Sequence, residues 1–230
     1  CIHFGVGQPS PDLLPVKLLA EASEGFYRSA APLELNYGER QGDRRFRDSL
    51  ATFLATAYGF SVQAEELFVS GGNSQALDFV CARFTRPGDT VLVEEPSYFL
   101  AFQIFRDHGL KVVGVPMDEA GMRVDALERL VRQHRPALVY TIPSFHNPTG
   151  ISLDKQRRRE LALLSRELDV IVVADEVYQL LYADEPPPPP MAAHIGDGQV
   201  ISLGSFSKIL APGLRLGWIQ TGPELMQELL

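Results

Sequence analysis

Lys208 is the residue of this sequence that is most suited to covalent chemistry. It lies in the segment Ser205-Phe206-Ser207-Lys208-Ile209, between a strand-like run and a Pro-Gly turn. A lysine amine can form a Schiff base with the carbonyl group of a cofactor. Ser205, Ser207 and Arg215 would surround this amine with hydrogen-bond donors, and an arginine can contact two phosphate oxygens at once. An ordinary loop with an exposed lysine would show the same pattern.

Asp175 follows the apolar run 170–174 and is the second candidate. A carboxylate buried at the end of such a run is costly unless it has a cationic partner, and a protonated pyridine nitrogen would serve. An aspartate that caps a helix N-terminus would also fit this position. Tyr178 lies three residues further on, so one turn could place its hydroxyl near the same ligand.

Asn147 lies in the segment Tyr140–Gly150, in which a strand-like run leads into a turn with two prolines and a glycine. Asparagine is a common turn residue, and this position needs no other explanation. Its side-chain amide could equally donate a hydrogen bond to a phenolate oxygen. Both interpretations remain open from the residues alone.

A glycine-rich turn, Ser70-Gly71-Gly72-Asn73-Ser74, lies between a predicted strand and a predicted helix. Free backbone N–H groups at a helix N-terminus can bind a phosphate. Glycine-rich turns between strands and helices are common, so the pattern alone indicates only a possible anion site.

Strand-like and helix-like segments alternate from about residue 65. Apolar, β-rich runs predict strands at 67–70, 90–94, 111–116, 137–142, 170–174, 200–203 and 214–220. Helical spacing predicts helices at 39–58, 73–84, 98–108, 124–134 and 153–168. Runs such as 170–174 are apolar on both faces, as in strands that are covered on both sides. The sequence therefore predicts an α/β fold with a mostly parallel, doubly wound sheet and sites at the carboxyl ends of its strands.

Other segments are expected to be structural. Residues 1–35 contain four prolines and predict an extended arm followed by a short helix near 15–29, and Pro186–Pro190 predict a stiff polyproline loop. The histidines show no metal-ligand spacing, so His146 and His194 are expected to have no chemical role. A basic cluster on the last predicted helix is interpreted as a solvated face, formed by Lys155, Arg157, Arg158 and Arg159.

The composition limits the classes of function. Of the 230 residues, 45% are hydrophobic and 22% are charged, as in an ordinary globular domain. The net charge of 21 − 29 = −8 argues against a nucleic acid or an anionic membrane as partner. The two cysteines are too few for a disulfide framework, which fits the cytoplasm. Because the chain begins with Cys1 and ends in a helix-like run, we expect a fragment of a longer protein.

Three motifs resemble those of one family. They are HNPTG at 146–150, ADEVY at 174–178 and SFSKILAPGLRLG at 205–217. In this order they resemble the fold-type I pyridoxal-phosphate enzymes of the class I/II aminotransferase family. The segments GVGQPSPDLLP and NYGERQGDRRFR are also similar, so the resemblance covers essentially the whole chain.

The resemblance implies roles for the residues around the cofactor ring. Lys208 matches the Schiff-base lysine, and Asp175 matches the partner of the pyridine nitrogen. Asn147 and Tyr178 match the pair that binds the phenolic oxygen, and Tyr98 matches the aromatic residue that stacks on the ring. Tyr98 could instead be a core aromatic residue. Lys208, Asp175 and Tyr178 are the predicted catalytic residues.

The resemblance also implies a phosphate site, a substrate site and a partner subunit. Ser207 belongs with the cofactor-binding residues, and the predicted phosphate cup consists of Gly72, Asn73, Ser74, Ser205 and Arg215. Gly7 and Asn147 match residues near the substrate. Tyr37 matches a residue that reaches the cofactor of a neighbouring subunit, which implies a homodimer with a shared active site.

The implied function is that of a pyridoxal 5'-phosphate-dependent aminotransferase acting on an L-amino acid and a 2-oxo acid through the Lys208 Schiff base. Two alternatives stay open: another fold-type I enzyme, such as a lyase or decarboxylase, and the aminotransferase-like domain of a transcriptional regulator. The expected organisation is an arm with a short helix at 1–35 and a cofactor-binding large domain at 36–230, truncated at its C-terminal end. The family's small domain, which clamps the substrate carboxylate, is not expected in these residues.

Overall fold

The computed structural model describes residues 7–230, so the first six residues of the predicted arm lie outside it. The strands are β1 (Leu67–Ser70), β2 (Thr90–Glu95), β3 (Lys111–Asp118), β4 (Gly121–Met122), β5 (Leu138–Thr141), β6 (Ile171–Asp175), β7 (Val200–Ser205) and β8 (Gly217–Thr221). The helices are α1 (Val16–Ser29), α2 (Arg44–Tyr58), α3 (Asn73–Phe84), α4 (Phe99–Asp107), α5 (Val124–His134), α6 (Lys155–Glu167) and α7 (Pro223–Leu229).

The strands form one sheet in the order β1-β8-β7-β6-β5-β2-β3-β4. The central strands β7, β6, β5, β2 and β3 are parallel to one another. β8 runs antiparallel between β7 and β1, and the two-residue β4 pairs antiparallel with β3. The predicted mostly parallel sheet is therefore confirmed, with antiparallel pairs at its two edges.

Successive residues of the central strands pack into different cores, because side chains alternate between the faces of a sheet. Tyr140 and Val173 belong to a core beneath α3, α4 and α7. Val139 and Val172, their neighbours in the chain, belong to a core beneath α5 and α6. Helices thus cover both faces, which explains why the run 170–174 is apolar throughout.

The predicted strands and helices all occur, and the differences lie at their ends. α2 begins at Arg44, five residues later than predicted, because the Asp43 carboxylate caps the helix by accepting from the Phe46 N–H at 2.9 Å. β8 begins at Gly217, three residues later than predicted, because Arg215 adopts a left-handed conformation with φ 50°. The hairpin strand β4 was not predicted, since two residues carry no periodic signal.

The N-terminal helix has no core of its own. α1 contains no buried residue, and the apolar side chains of Val16, Leu18 and Tyr27 are exposed. No helix within residues 7–230 combines the length and the apolar character needed to cross a membrane.

The interpretation of the basic cluster as a solvated face was wrong for Arg158. Lys155 and Arg159 are exposed, but the Arg158 side chain is 0% exposed. Its guanidinium donates to the carbonyl oxygens of Leu153 at 2.9 Å and Pro143 at 2.5 Å. Helical spacing places Arg158 on the inner face of α6, where backbone oxygens and a buried carboxylate balance its charge.

That carboxylate belongs to Glu176, whose Oε1 lies 3.8 Å from Arg158 Nη1. Burial raises the pKa of Glu176, and the positive charge of Arg158 opposes this shift. Arg158 also donates to the Pro189 carbonyl at 3.1 Å, so the polyproline loop is fastened to α6. One buried cation therefore joins the polyproline loop to the segments that follow β5 and β6.

Replacing Arg158 by alanine should destabilise the chain by about 3–5 kcal/mol, because the change leaves a buried carboxylate without its cation. Equilibrium unfolding in urea measures this loss. Arg159→Ala is the matched control on the exposed side of the same helix and should leave the unfolding midpoint almost unchanged. Equal effects of the two substitutions would contradict the buried-cation interpretation.

Candidate active site

The predicted site residues meet at the carboxyl end of the central strands. Lys208 is a half-buried residue in the turn after β7, and its Nζ donates to the Gly7 carbonyl oxygen at 2.6 Å. The same Nζ lies 6.0 Å from the centre of the Tyr178 ring. Lys208 is therefore not a freely exposed loop lysine, since the arm residue Gly7 and the segment after β6 converge on its amine.

Asp175 is the last residue of β6, and only 7% of it is exposed. Its Oδ2 accepts from the Tyr140 hydroxyl at 2.8 Å, and its Oδ1 accepts from Asn73 Nδ2 at 2.7 Å. Burial raises the pKa of Asp175, whereas the hydrogen bonds from Tyr140 and Asn73 and the positive charge of Lys208 act to lower it. The segment after Asp175 is a turn, so the alternative interpretation as a helix cap is not supported.

Asn147 and Tyr178 come from different segments and are in contact. Asn147 follows β5, Tyr178 follows β6, and Asn147 Nδ2 donates to the Tyr178 hydroxyl oxygen at 3.3 Å. Because β5 and β6 are parallel neighbours, both segments emerge at the same edge of the sheet. The pair presents an amide donor and a phenol hydroxyl side by side.

The glycine-rich turn and Arg215 fit closely against each other. Gly72 has φ 93° and ψ 169°, a conformation that is essentially restricted to glycine. A Cβ atom on Gly72 would lie 2.7 Å from Arg215 Nη2, which donates to the Gly71 carbonyl at 3.2 Å. The structure therefore places a guanidinium against the N-terminus of α3, and only glycine allows this approach.

Ser205, at the end of β7, and Ser207 are hydrogen-bonded to each other. The Ser205 hydroxyl donates to Ser207 Oγ at 2.9 Å and accepts from the Ser207 N–H at 3.0 Å. Ser74 is exposed in the first turn of α3. The side-chain amide of Asn73 is bonded to Asp175 instead of pointing into the turn, so Asn73 links the predicted phosphate cup to the buried carboxylate.

The two remaining tyrosines occupy different environments. Tyr98 precedes α4 and packs partly against the core. Burial raises the pKa of Tyr98, and the nearby Tyr178 and Asp175 contribute to the shift, so the ring lies between the core and the site. Tyr37 is fully exposed, at 102%, and within residues 7–230 its side chain makes no hydrogen bond to any other site residue.

Sequence reasoning missed two buried polar groups at this edge. Tyr140 contacts Asp175, and the only signal for it was a hydroxyl inside an apolar run, which needs a partner when buried. His146 was expected to be isolated. Its Nδ1 lies 2.9 Å from Thr149 Oγ1, and its Nε2 lies 3.1 Å from Glu94 Oε2, outside good hydrogen-bond alignment.

The arrangement offers four chemical features to a ligand: an amine, a buried carboxylate, an amide–phenol pair, and a guanidinium beside free N–H groups. Such a set can hold a molecule with an electrophilic carbonyl, a cationic atom and an anionic group. Within residues 7–230, no group of three or more histidine, cysteine, aspartate or glutamate residues could hold a metal ion.

Comparisons with known proteins identify a family and several relatives. A family model described as aminotransferase class I and II matches residues 1–229. An aromatic-amino-acid aminotransferase of Thermococcus litoralis is 36% identical, with 99% of this chain and 56% of that protein covered. The crystal structure of an alpha-aminoadipate aminotransferase from Thermus thermophilus, complexed with N-(5'-phosphopyridoxyl)-L-leucine, has a TM-score of 0.86 and 38% identity, with 98% of this chain and 57% of that chain covered.

A different kind of protein is also similar. An uncharacterised HTH-type transcriptional regulator of Bacillus subtilis is 34% identical, with 100% of this chain and 46% of that protein covered. The chain thus spans about half the length of the curated relatives it matches.

Gly72→Ala should lower the free energy of unfolding by about 1–3 kcal/mol, because alanine does not tolerate this backbone conformation, and it should push Arg215 away from α3. Urea unfolding measures the loss, and a crystal structure of the variant locates the guanidinium.

Gly213→Ala is the matched control in the neighbouring turn. Gly213 is not among the glycines with positive φ, and no atom lies within 4 Å of an added Cβ. A Gly72→Ala variant as stable as Gly213→Ala, with Arg215 unmoved, would contradict the close fit.

Proposed function

This chain belongs to the aminotransferase class I and II family, and we propose that it is the cofactor-binding part of an enzyme that moves an amino group between an L-amino acid and a 2-oxo acid. The observation that carries the proposal is Asp175, a buried carboxylate that receives hydrogen bonds from Tyr140 and Asn73 and lies near the positive Lys208. A carboxylate in this position is suited to stabilise a cationic ring nitrogen.

The residues present fit pyridoxal 5'-phosphate. Gly72 lets the Arg215 guanidinium lie against the N-terminus of α3, and a cation beside the N–H groups of a helix N-terminus is a suitable place for a phosphate. Within residues 7–230, Asn73 Oδ1 is buried without a hydrogen-bond partner, so the site retains an unused polar atom. An amine, an anion site and a buried carboxylate are the three features that this cofactor needs from a protein.

We assign the phosphate to a cup that residues of three segments would form: Gly72, Asn73, Ser74, Ser205, Ser207 and Arg215. Asp175 would meet the pyridine nitrogen. Asn147 and Tyr178 would bind the phenolic oxygen, since their amide and hydroxyl lie side by side. Tyr98 would cover the ring, with its own ring between the core and the site.

When bound, the cofactor supplies an aldehyde that condenses with amines and a ring that accepts electrons from the carbon next to the amine. Lys208 Nζ is the amine that would hold the cofactor and, once released, would move a proton from the donor's α-carbon. Asp175 would keep the ring nitrogen protonated, because a negative charge beside it stabilises the cationic form. Gly7, within 2.6 Å of Lys208 Nζ through its carbonyl oxygen, would lie next to the substrate.

The substrates are proposed from the relatives. Two of them are named an aromatic-amino-acid aminotransferase and a 2-aminoadipate transaminase, so aromatic amino acids and 2-aminoadipate are the first amino donors to screen.

Residues 36–230 would form the cofactor-binding domain and residues 1–35 the arm. A cytoplasmic location fits the two cysteines and the net charge of −8, neither of which suggests a secreted protein or a nucleic-acid partner.

We also propose a homodimer with a shared active site. Tyr37 is fully exposed, and the apolar side chains of α1 and its flanks lie at the surface, including Leu13, Leu33 and Leu35. An exposed apolar surface of this kind is typical of an interface. A second copy of the protein would cover it and would receive Tyr37 at its own cofactor.

Borohydride reduction in the presence of pyridoxal 5'-phosphate should attach the pyridoxyl group to the peptide that contains Lys208. Lys208→Ala should abolish this label and any amine transfer, because Lys208 Nζ is the amine of the site. Peptide mapping by mass spectrometry locates the label, and Lys155→Ala is the control at an exposed lysine. A label on another lysine, or none, would refute the assignment.

In a protein that spans the full length of the curated relatives, a label at Lys208 without amine transfer to any 2-oxo acid would favour the lyase, decarboxylase or regulator alternatives.

Mixed dimers test the shared site. A Tyr37→Phe subunit paired with a Lys208→Ala subunit should regain about half of the wild-type activity, because one of the two sites receives an intact residue from each chain. Each homodimeric variant should be weaker, and the Lys208→Ala homodimer should be inactive. Mixed dimers that are no more active than the average of the two parents would show that Tyr37 acts within its own subunit.

A further inference from the structure

Tyr140 lies beneath the candidate active site, in the middle of the parallel sheet. It is 1% exposed and belongs to β5, whose side chains alternate between the two cores. Its ring packs edge-on against Phe105, with 5.5 Å between the ring centres. Its hydroxyl oxygen lies 2.8 Å from Asp175 Oδ2 on the neighbouring strand β6.

The direction of this hydrogen bond is fixed by chemistry. Burial and the adjacent carboxylate raise the pKa of Tyr140 well above its ordinary value. The phenol therefore keeps its proton at neutral pH and donates it to Asp175, which can only accept when it is ionised. A donor placed in this way stabilises the ionised form of a buried carboxylate.

Asn73 completes the arrangement from the opposite side. Its Nδ2 donates to Oδ1 of Asp175 at 2.7 Å, while Tyr140 donates to Oδ2. The carboxylate therefore cannot rotate without breaking one of these two bonds. Tyr140 comes from a strand and Asn73 from a helix N-terminus, so both donors stand on rigid elements.

We propose that Tyr140 is a positioning residue whose hydroxyl fixes the Asp175 carboxylate in the orientation in which it meets the ring nitrogen of pyridoxal 5'-phosphate. This inference rests on the proposed function, because it assumes the role given there to Asp175. Tyr140 itself is too deeply buried to belong to the surface of the site, so its effect passes through Asp175. Without the hydroxyl, Oδ2 of the carboxylate loses its side-chain donor, so the carboxylate is held less firmly and becomes a stronger base, which draws the proton away from the ring nitrogen.

Tyr140→Phe removes the hydroxyl and keeps the ring against Phe105. The affinity of the unloaded chain for pyridoxal 5'-phosphate, measured by absorbance titration, should fall about 10-fold, which corresponds to about 1.4 kcal/mol. Tyr58→Phe is the matched control, since Tyr58 stacks on Phe60 in the separate core around α2. Its affinity should equal that of the wild type.

A double-mutant cycle separates positioning from a merely structural role. Asp175→Asn should weaken binding, and Tyr140→Phe added to Asp175→Asn should cause little further loss, because the partner of the hydroxyl has already changed. Two residues that act through one contact show such non-additive effects. Independent effects that multiply in the double variant would overturn the proposal.

A second measurement needs no substitution at Tyr140 and therefore holds even if Tyr140→Phe does not fold. In protein labelled with carbon-13 at the tyrosine Cζ, the Tyr140 resonance should move when pyridoxal 5'-phosphate is added. In Asp175→Asn it should start at another position and respond less. A Tyr140 resonance that stays in place both when pyridoxal 5'-phosphate is added and in Asp175→Asn would refute the role of the hydroxyl.

The two proposals fail in different ways. If the wild type binds pyridoxal 5'-phosphate at Lys208 and Tyr140→Phe binds it equally well, the inference about Tyr140 falls and the proposed function stands. If the wild type does not bind pyridoxal 5'-phosphate at Lys208, the proposed function and the inference fall together.

Discussion

The site depends on keeping one carboxylate ionised where there is little water. Asp175 sits at the end of a central strand, and its burial favours the neutral acid. Three side chains oppose that tendency, together with the Val177 backbone N–H: the Tyr140 hydroxyl, the Asn73 amide and the positive Lys208. Since these side chains come from β5, α3 and the turn after β7, the ionised state of one carboxylate requires that the sheet and its helices be correctly assembled.

The next residue shows what a fully compensated buried carboxylate looks like. Glu176 accepts from Ser202 Oγ at 2.6 Å and from the Met191 N–H at 2.7 Å, with Arg158 Nη1 at 3.8 Å. All of its partners are protein groups, so its charge serves the fold. Asp175 has neutral donors on both oxygens, and the cation near it is Lys208. Of these two adjacent acids, Glu176 is fully occupied by contacts within the protein, whereas Asp175 is the one suited to contact a ligand.

The sequence predicted the strands, the helices and the motif residues of the site better than it predicted the contacts between buried side chains. Apolar runs and helical spacing depend on local periodicity, which explains why β6 and α5 could be placed within a residue. The side-chain partners of Asp175 come from residues 35 and 102 positions away, and no local pattern encodes such distances. Arg158 was misjudged for the same reason, since a basic cluster on a helix does not reveal which member faces inward.

The N-terminal arm combines a contact with the site and a helix whose apolar side chains are exposed. Gly7 accepts a hydrogen bond from the Lys208 amine, so this part of the arm contacts the site. Further along the arm, no residue of α1 is buried, although the helix carries several apolar side chains. In a stable helix such side chains normally pack against another element. A short helix gains most of its stability from packing, and within residues 7–230 α1 gains little of it. The same arm therefore carries a residue in contact with the site amine and an apolar helix face that the described residues leave exposed.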